Sequence, residues 1–162
     1  MEICREGETL RISDLDPFLA ELLRQIPPSA NPESAPGAEA RLFSQPSSQK
    51  EICAEWKSYV EPELRRLFQS ATETVAADLT QLNGNEKSLR HRTLRIPFQN
   101  ADAWLSALNQ ARLVIVEKYK FSDTELNDHD RFPIGSRRDL GLFQVNFYGF
   151  LQEFILREMG SD

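Results

Sequence analysis

The chain has 162 residues, of which 40% are hydrophobic, so it is long enough to form one domain with a sizeable core. It carries 19 Lys and Arg against 25 Asp and Glu, a net charge of −6. A surface of this sign repels phosphate backbones, which disfavours general affinity for nucleic acid but leaves room for a local basic patch.

The lengths of the hydrophobic runs and the spacing of the cysteines disfavour a membrane protein, a secreted protein and a zinc protein. No apolar run approaches the length of a membrane span, and the N-terminal residues lack the pattern of a signal peptide. We therefore expect a cytoplasmic protein whose two cysteines, Cys4 and Cys53, stay reduced. Neither has a His or Cys partner at zinc-ligand spacing, so no metal and no cofactor are expected.

The first predicted elements are a hairpin and a helix. Apolar residues alternate with polar ones on both sides of a turn at Glu6-Gly7, as in a β-hairpin. Asp16 and Pro17 are typical of an N-cap and a first helical position. Pro27-Pro28 is expected to end the helix. Its buried face is predicted to contain Leu15, Phe18, Leu19, Leu22, Leu23 and Ile26.

Residues 27–49 hold five of the nine prolines and several serines, which predicts a long loop. The hairpin and helix before this segment are too small to fold alone. We therefore expect an ordered loop, pinned by Leu42 and Phe43, rather than a linker between domains.

Helical periodicity resumes at Lys50. Ile52, Trp56, Tyr59 and Val60 form one apolar face, and Pro62 is expected to break or kink the helix. A second, long segment continues the pattern until Asn83-Gly84-Asn85 stops it. Its apolar positions are Leu64, Leu67, Phe68, Ala71, Val75, Leu79 and Leu82.

Residues 93–98 alternate like a strand, and the N-terminal hairpin is the available partner. Asn100 is predicted to cap the next helix, and Ser122 with Glu125 matches a capping box. A last helix is expected from about Asp139 to Met159. The fold class is therefore mainly α: residues 1–162 form a single-domain bundle of about four principal helices beside a small antiparallel sheet.

Two polar residues lie within the apolar face predicted for residues 103–119. Asn109 and Arg112 share the helical stripe of Trp104 and its apolar neighbours. One reading is a buried polar network in which Arg112 pairs with a carboxylate such as Glu55 or Glu153. The alternative is a pocket for an anionic ligand.

The last helix is apolar nearly all round, which suits either a central position or a contact with another chain. We expect core packing to take most of its aromatic residues and the remainder to form a homodimer seam or a groove for a partner helix. These aromatic residues are Phe143, Phe147, Tyr148, Phe150 and Phe154.

Two further clusters have weaker signals. The basic segment contains Lys87, Arg90, Arg92 and Arg95 but little aromatic interleaving, so a charged loop and edge strand is favoured over nucleic-acid binding. The residues 128–130 offer metal-ligand chemistry without a helix or strand to fix its geometry, so we expect an ordinary loop there.

The segment from Ala103 to Leu113 resembles the signature helix of an uncharacterised bacterial family, domain of unknown function 2017. The tryptophan, the Leu108-Asn109 pair and the Arg112-Leu113 pair occur in the order typical of that family. Softer similarity covers residues 40–43 and 55–57 and the aromatic C-terminal helix. The resemblance implies one helical domain and, because the family's genes tend to lie near that of the Clp protease adaptor, a link to regulated proteolysis.

Three functions follow as hypotheses. The first is a non-catalytic interaction or regulatory protein that makes its contacts through the C-terminal aromatic helix and neighbouring loops. The second is a small-ligand binder or enzyme that holds an anionic group with Arg112 and Asn109. The weakest is nucleic-acid binding through the segment 87–95. No nucleophile motif or phosphate-binding loop favours catalysis.

Overall fold

The computed structural model describes residues 1–83, 92–127 and 134–160. Three antiparallel strands form a sheet in the order β1 (Glu2–Glu6), β2 (Thr9–Leu15) and β3 (Arg92–Pro97). Glu6 faces Thr9 across the hairpin, and Gly7 has a φ of 58°, which a residue without a side chain adopts at little cost. The predicted small sheet of hairpin and later strand is confirmed.

Helix α1 (Pro17–Arg24) begins where the sequence predicts, because Asp16 Oδ1 accepts a hydrogen bond of 2.8 Å from the backbone N–H of Leu19. The prediction of a long loop after it is wrong. Residues 26–42 form short helical pieces whose prolines occupy first turns, where no backbone N–H is needed. These are α2 (Ile26–Ser29), a 3₁₀ turn (Pro32–Ser34) and α3 (Ala38–Leu42). Leu42 and Phe43 are buried, as expected.

The helix expected to break or kink at Pro62 does not break. Helix α4 (Lys50–Glu55) passes through a π-helical turn (Trp56–Val60) into α5 (Glu61–Leu79). Proline cannot donate to the carbonyl four residues earlier, at Ser58, and its ring crowds that carbonyl. Because Pro62 lies in the first turn of α5 and a wider turn precedes it, the chain continues as a helix.

Helix α6 (Ala101–Tyr119) is the centre of the helical layer, since it packs against both α5 and α8 (Arg137–Met159). The short α7 (Asp123–Leu126) joins them and carries the predicted capping box. Trp104 and Tyr148 are the largest fully buried side chains. The fold is mainly α with a small antiparallel sheet, as predicted. No helix in residues 1–83, 92–127 and 134–160 is long and apolar enough to cross a membrane.

Candidate interaction surface and the Arg112 site

Trp104 is part of a tie between α5 and α6. Its indole N–H donates to Asp78 Oδ2 at 2.9 Å, and its side chain is fully buried. Asn100 Nδ2 donates to the same carboxylate at 3.0 Å. The predicted cap at Asn100 is therefore wrong, because the charged acceptor takes its side chain instead of the end of α6. No sequence signal indicated Asp78, since 26 residues separate it from Trp104.

Arg112 is half-buried between α6 and α8, where it joins a polar network of neutral groups. Its Nη1 donates to Gln152 Oε1 at 2.6 Å, and Gln152 Nε2 donates to the carbonyl of Leu105 at 3.2 Å. The predicted carboxylate partners are wrong: Glu55 and Glu153 are exposed, and no described carboxylate lies within 4.0 Å of the guanidinium.

A glycine on α8 makes room for Arg112. A Cβ atom at Gly149 would lie 3.3 Å from Arg112 Cζ and 3.3 Å from Nη2, so the guanidinium fills the space of the missing side chain. The Nε atom is buried and finds no hydrogen-bond partner among the described residues. A charge held in this way has lost part of its hydration without gaining a counterion, which favours an added anion.

Asn109 is not part of this network. It is exposed on α6, whereas its neighbour Gln110 is only 3% exposed. Gln110 Nε2 donates to Ser106 Oγ at 3.2 Å and reaches the carbonyl of Phe68 at 3.5 Å. The buried polar residue of α6 is therefore Gln110, one residue after the predicted Asn109. One residue along a helix corresponds to a rotation of about 100° around the helix axis.

The predicted aromatic surface on α8 is mostly core. Phe147, Tyr148 and Phe154 are buried, and the Tyr148 hydroxyl donates to the carbonyl of Leu22 at 2.7 Å. Burial raises the pKa of Tyr148. Phe143 is half-buried, and its ring centroid lies 5.6 Å from that of Phe18 on α1.

Phe150 is the exception among the five aromatic residues, since it is 50% exposed. The sequence pattern had placed Phe18 on the buried face of α1, but this ring is also exposed. The interaction surface predicted on α8 is thus reduced to Phe150 and part of Phe143.

The structure describes only part of the basic segment 87–95. Lys87 and Arg90 lie outside the described residues, as does the 128–130 cluster. Arg92 donates to the carbonyl of Leu82 at 2.7 Å. The side chain of Gln81 pairs with both the N–H and the carbonyl of Arg95, at 3.2 Å and 2.7 Å, and so caps the outer edge of β3.

A ligand-sized cleft lies between α1, α6 and α8, away from Arg112. Its volume is about 530 Å³, within the range of small-molecule sites. Phe18, Val114 and Leu140 form apolar walls, and Glu21 and Lys118 are its charged residues. Arg112 does not line this cleft, so the anion-pocket hypothesis does not gain from it.

An acidic group holds the junction between α7 and α8. Glu125 accepts a hydrogen bond of 3.0 Å from the backbone N–H of Ser122, and Arg138 Nη2 donates to it at 2.6 Å. These bonds favour the ionised form and lower the pKa of Glu125 to about 2, the bond from the Ser122 backbone most of all. Ser136 starts α8 by accepting a bond from the backbone N–H of Asp139 at 3.1 Å.

The surface that sequence reasoning missed lies on the continuous helix formed by α4, the π turn and α5. Four large apolar side chains there face solvent: Ile52 (42% exposed), Tyr59 (77%), Val60 (49%) and Leu67 (59%). We refer to these four residues as the α4–α5 stripe. Helical periodicity places Ile52, Tyr59 and Val60 on one face with Trp56, but it gives no information about what covers a face.

Neighbouring residues show how the stripe stays exposed. Trp56, Leu64 and Phe68 turn toward a second core cluster that contains Phe43 and Val114. Within the part of the chain that the structure describes, no element makes extensive contact with α4 apart from the π turn that continues the same helix, so its outer face stays uncovered. A group of exposed apolar side chains at helical spacing is typical of a protein-contact surface.

The family follows from the sequence match. The sequence model of a family described as Domain of unknown function (DUF2017) matches residues 6–159. The chain belongs to the DUF2017 family. No curated protein and no solved structure matches it. In this DUF2017 chain, Trp104 and Arg112 bond to other helices of the same molecule: Trp104 to α5, and Arg112 to α8.

Proposed function

We propose that this chain is a non-catalytic protein-interaction module that binds an amphipathic helix along the α4–α5 stripe. The observation that carries the proposal is the exposure of four large apolar side chains on one helix whose other apolar residues pack inward. Fully burying an exposed side chain of this kind gains about 1.5–3 kcal/mol, so a partner that covers these partly exposed side chains gains a fraction of that free energy at each.

The spacing of the stripe fits a helical partner. Val60 and Leu67 are seven residues apart, and Ile52 precedes Val60 by eight. Such intervals bring side chains back to nearly the same side of a helix, and 15 residues span about 22 Å. Charged residues of both signs flank the stripe, including Lys57 and Glu63. A partner helix with an apolar seam and mixed charges beside it therefore fits this surface.

Variants of the stripe test this proposal. The double variant Tyr59→Ser with Leu67→Ser removes apolar area but leaves the core unchanged. Phe150→Ser is the matched control, since it removes an exposed aromatic ring from α8 instead. We expect a partner captured by the wild type and rebound as purified protein to be lost with the double variant and kept with the control. Lysine cross-links should fall at Lys50 and Lys57. Loss with Phe150→Ser alone would contradict the proposal.

A second candidate function is the binding of a small anionic ligand at Arg112. Among the described residues, its Nε has no hydrogen-bond partner, and the partner of its guanidinium is the neutral amide of Gln152. A carboxylate or phosphate added at this position would supply the missing charge. Titration with acetate, succinate and phosphate should raise the melting temperature of the wild type but not of Arg112→Met. Equal responses of both proteins would exclude the site.

Two hypotheses from the sequence stay predictions. The link to Clp-type proteolysis rests on the family resemblance, and nucleic-acid binding rests on a segment of which Arg92 and Arg95 are described. Arg92 already donates to the carbonyl of Leu82, which reduces its availability to phosphate.

A further inference from the structure

The four residues of the α4–α5 stripe are spaced symmetrically along the chain. Ile52 lies seven residues before Tyr59, and Leu67 lies seven residues after Val60. The sequence numbers of the outer pair and of the inner pair have the same midpoint, between residues 59 and 60. A surface with this symmetry is complementary to itself when a second helix runs antiparallel across it, because residue i then meets residue j and residue j meets residue i.

We infer that the occupant of the stripe is a second copy of this chain, in an antiparallel pair of helices whose two-fold axis passes beside Val60. This inference rests on the proposed function, since it names the partner at the same docking surface. In the pair, Ile52 of each copy contacts Leu67 of the other, and Tyr59 and Val60 pack around the axis. The four exposed apolar side chains of each copy are then all covered.

Local charge is compatible with self-association, although the whole chain carries −6. Residues 50–67 contain four basic and four acidic side chains and so have no net charge: Lys50, Lys57, Arg65 and Arg66 against Glu51, Glu55, Glu61 and Glu63. Two such surfaces therefore approach without the repulsion that two chains of equal net charge feel elsewhere.

The charged residues beside the stripe also match under the two-fold axis. Lys57 and Glu55 are exposed, and neither forms an ion pair with a described residue. Antiparallel pairing about the midpoint between residues 59 and 60 brings Lys57 near Glu63 of the second copy and Glu55 near Arg66 of the second copy, one and two residues from exact opposition. Both cross-pairs have opposite charge. Arg66 and Glu63 already bond to each other at 2.7 Å, so the dimer would extend this pair into a network of four charges on each side.

The size of the contact surface sets the expected affinity of the dimer. One helix contributes the contact, which falls below the area of a standard stable interface, so a dissociation constant of about 1 μM or weaker is expected. Sedimentation equilibrium of the full chain over about a hundredfold range around that value should fit a monomer–dimer equilibrium. Leu67→Glu should weaken association at least about tenfold, whereas Phe150→Glu should leave it unchanged.

Disulfide trapping locates the axis. In a chain with Cys4→Ser and Cys53→Ser, Val60→Cys places one thiol beside the axis in each copy, within bonding distance. We expect it to form a covalent dimer under mild oxidation. Asn109→Cys, an exposed position on α6, is the control and should stay monomeric at the same protein concentration.

Charge exchange tests the register. Lys57→Glu and Glu63→Lys should each weaken the dimer, because like charges then face each other across the axis. An equal mixture of these two variants should restore association, since both cross-pairs regain opposite charges. Failure of the mixture, together with no disulfide at position 60, would overturn the pairing.

The outcomes separate this inference from the proposed function. A chain that stays monomeric, yet loses another protein when Tyr59 and Leu67 are replaced, overturns self-pairing and leaves the interaction module standing. A dimer that survives Leu67→Glu uses another face and also overturns self-pairing. If the stripe variants affect neither self-association nor partner binding, both proposals fail.

Discussion

Two helical regions of this chain carry several large apolar side chains each and differ in what covers them. Helix α8 carries five aromatic residues, of which Phe147, Tyr148 and Phe154 are buried. The helix formed by α4 and α5 carries the exposed α4–α5 stripe. The comparison teaches that apolar content predicts a contact and that only packing decides whether the contact is made within the molecule.

Close approach of α8 to α6 explains part of the difference. The ring of Tyr119 occupies the space above Gly141, and the guanidinium of Arg112 occupies the space above Gly149. Two missing side chains on α8 thus allow two large side chains of α6 to lie against it. Helix α4 has no comparable neighbour among the described elements, since its extensive contacts are with the π turn that continues the same helix.

The largest expected effect is loss of an α8 aromatic residue from the core. Phe147→Ala removes a ring that is 7% exposed and leaves a cavity, which should lower the free energy of unfolding by about 3–5 kcal/mol. Urea denaturation of the variant and the wild type measures this directly. A loss below about 1 kcal/mol would mean that Phe147 is not packed in the core of the protein.

The next largest effect is expected where α8 approaches α6 closely. A Cβ at position 141 would lie 2.6 Å from a ring carbon of Tyr119, so Gly141→Ala forces a shift despite its better helix propensity. We expect a net loss of about 1–2 kcal/mol in thermal unfolding. Gly149→Ala is the control, because its nearest neighbour is the end of a flexible arginine side chain, and it should cost less. A reversed ranking would contradict the packing.

Arg112→Met tests whether the half-buried charge contributes stability. Because the partner is the neutral Gln152, removal of the charge should change the free energy of unfolding by no more than about 1 kcal/mol. An arginine paired with a buried carboxylate would instead lose about 3–5 kcal/mol on truncation. Melting curves at neutral pH distinguish the two results.

Acid should weaken the junction of α7 and α8. The pKa of Glu125 is about 2 in the folded chain, below the 4.5 of a free carboxyl group. Its contribution is therefore complete above pH 4.5 and is lost as the pH falls toward 2. Glu125→Gln should lose less stability than the wild type between these two pH values. Parallel declines of the two melting temperatures would show that this carboxylate does not contribute.

The smallest effect on folding is expected in the α4–α5 stripe. Leu67→Ser changes a side chain that is 59% exposed, so the free energy of unfolding should change by no more than about 0.5 kcal/mol. Binding of a partner at the α4–α5 stripe should be lost in this variant even though its fold is kept. A drop in stability as large as that of Phe147→Ala would show that Leu67 belongs to the core instead.

Features that depend on neighbours in sequence could be predicted. Asp16 caps α1 through the backbone N–H three residues later. Ser122 and Glu125 form the capping box of α7 within one turn. The hairpin follows from alternation and Gly7. These signals were sufficient for the fold class, because local hydrogen bonds and side-chain periodicity fix where helices and strands form.

The candidate site could not be predicted in the same way, because distant residues determine it. Asp78 takes the Asn100 side chain that local rules assign to a cap, and Gln152 replaces a carboxylate as the partner of Arg112. The exposure of Tyr59 and Leu67 depends on the absence of a covering element in the described fold, and no periodicity encodes that absence.

Site-specific photo-cross-linking in the source cells tests the central claim most directly. A photoreactive phenylalanine analogue is placed at Leu67 in one variant and at Phe150 in another, both exposed apolar positions. The account predicts a discrete cross-linked product from position 67, to a second copy or to another protein, and none from position 150. A product from position 150 with none from position 67 would contradict it.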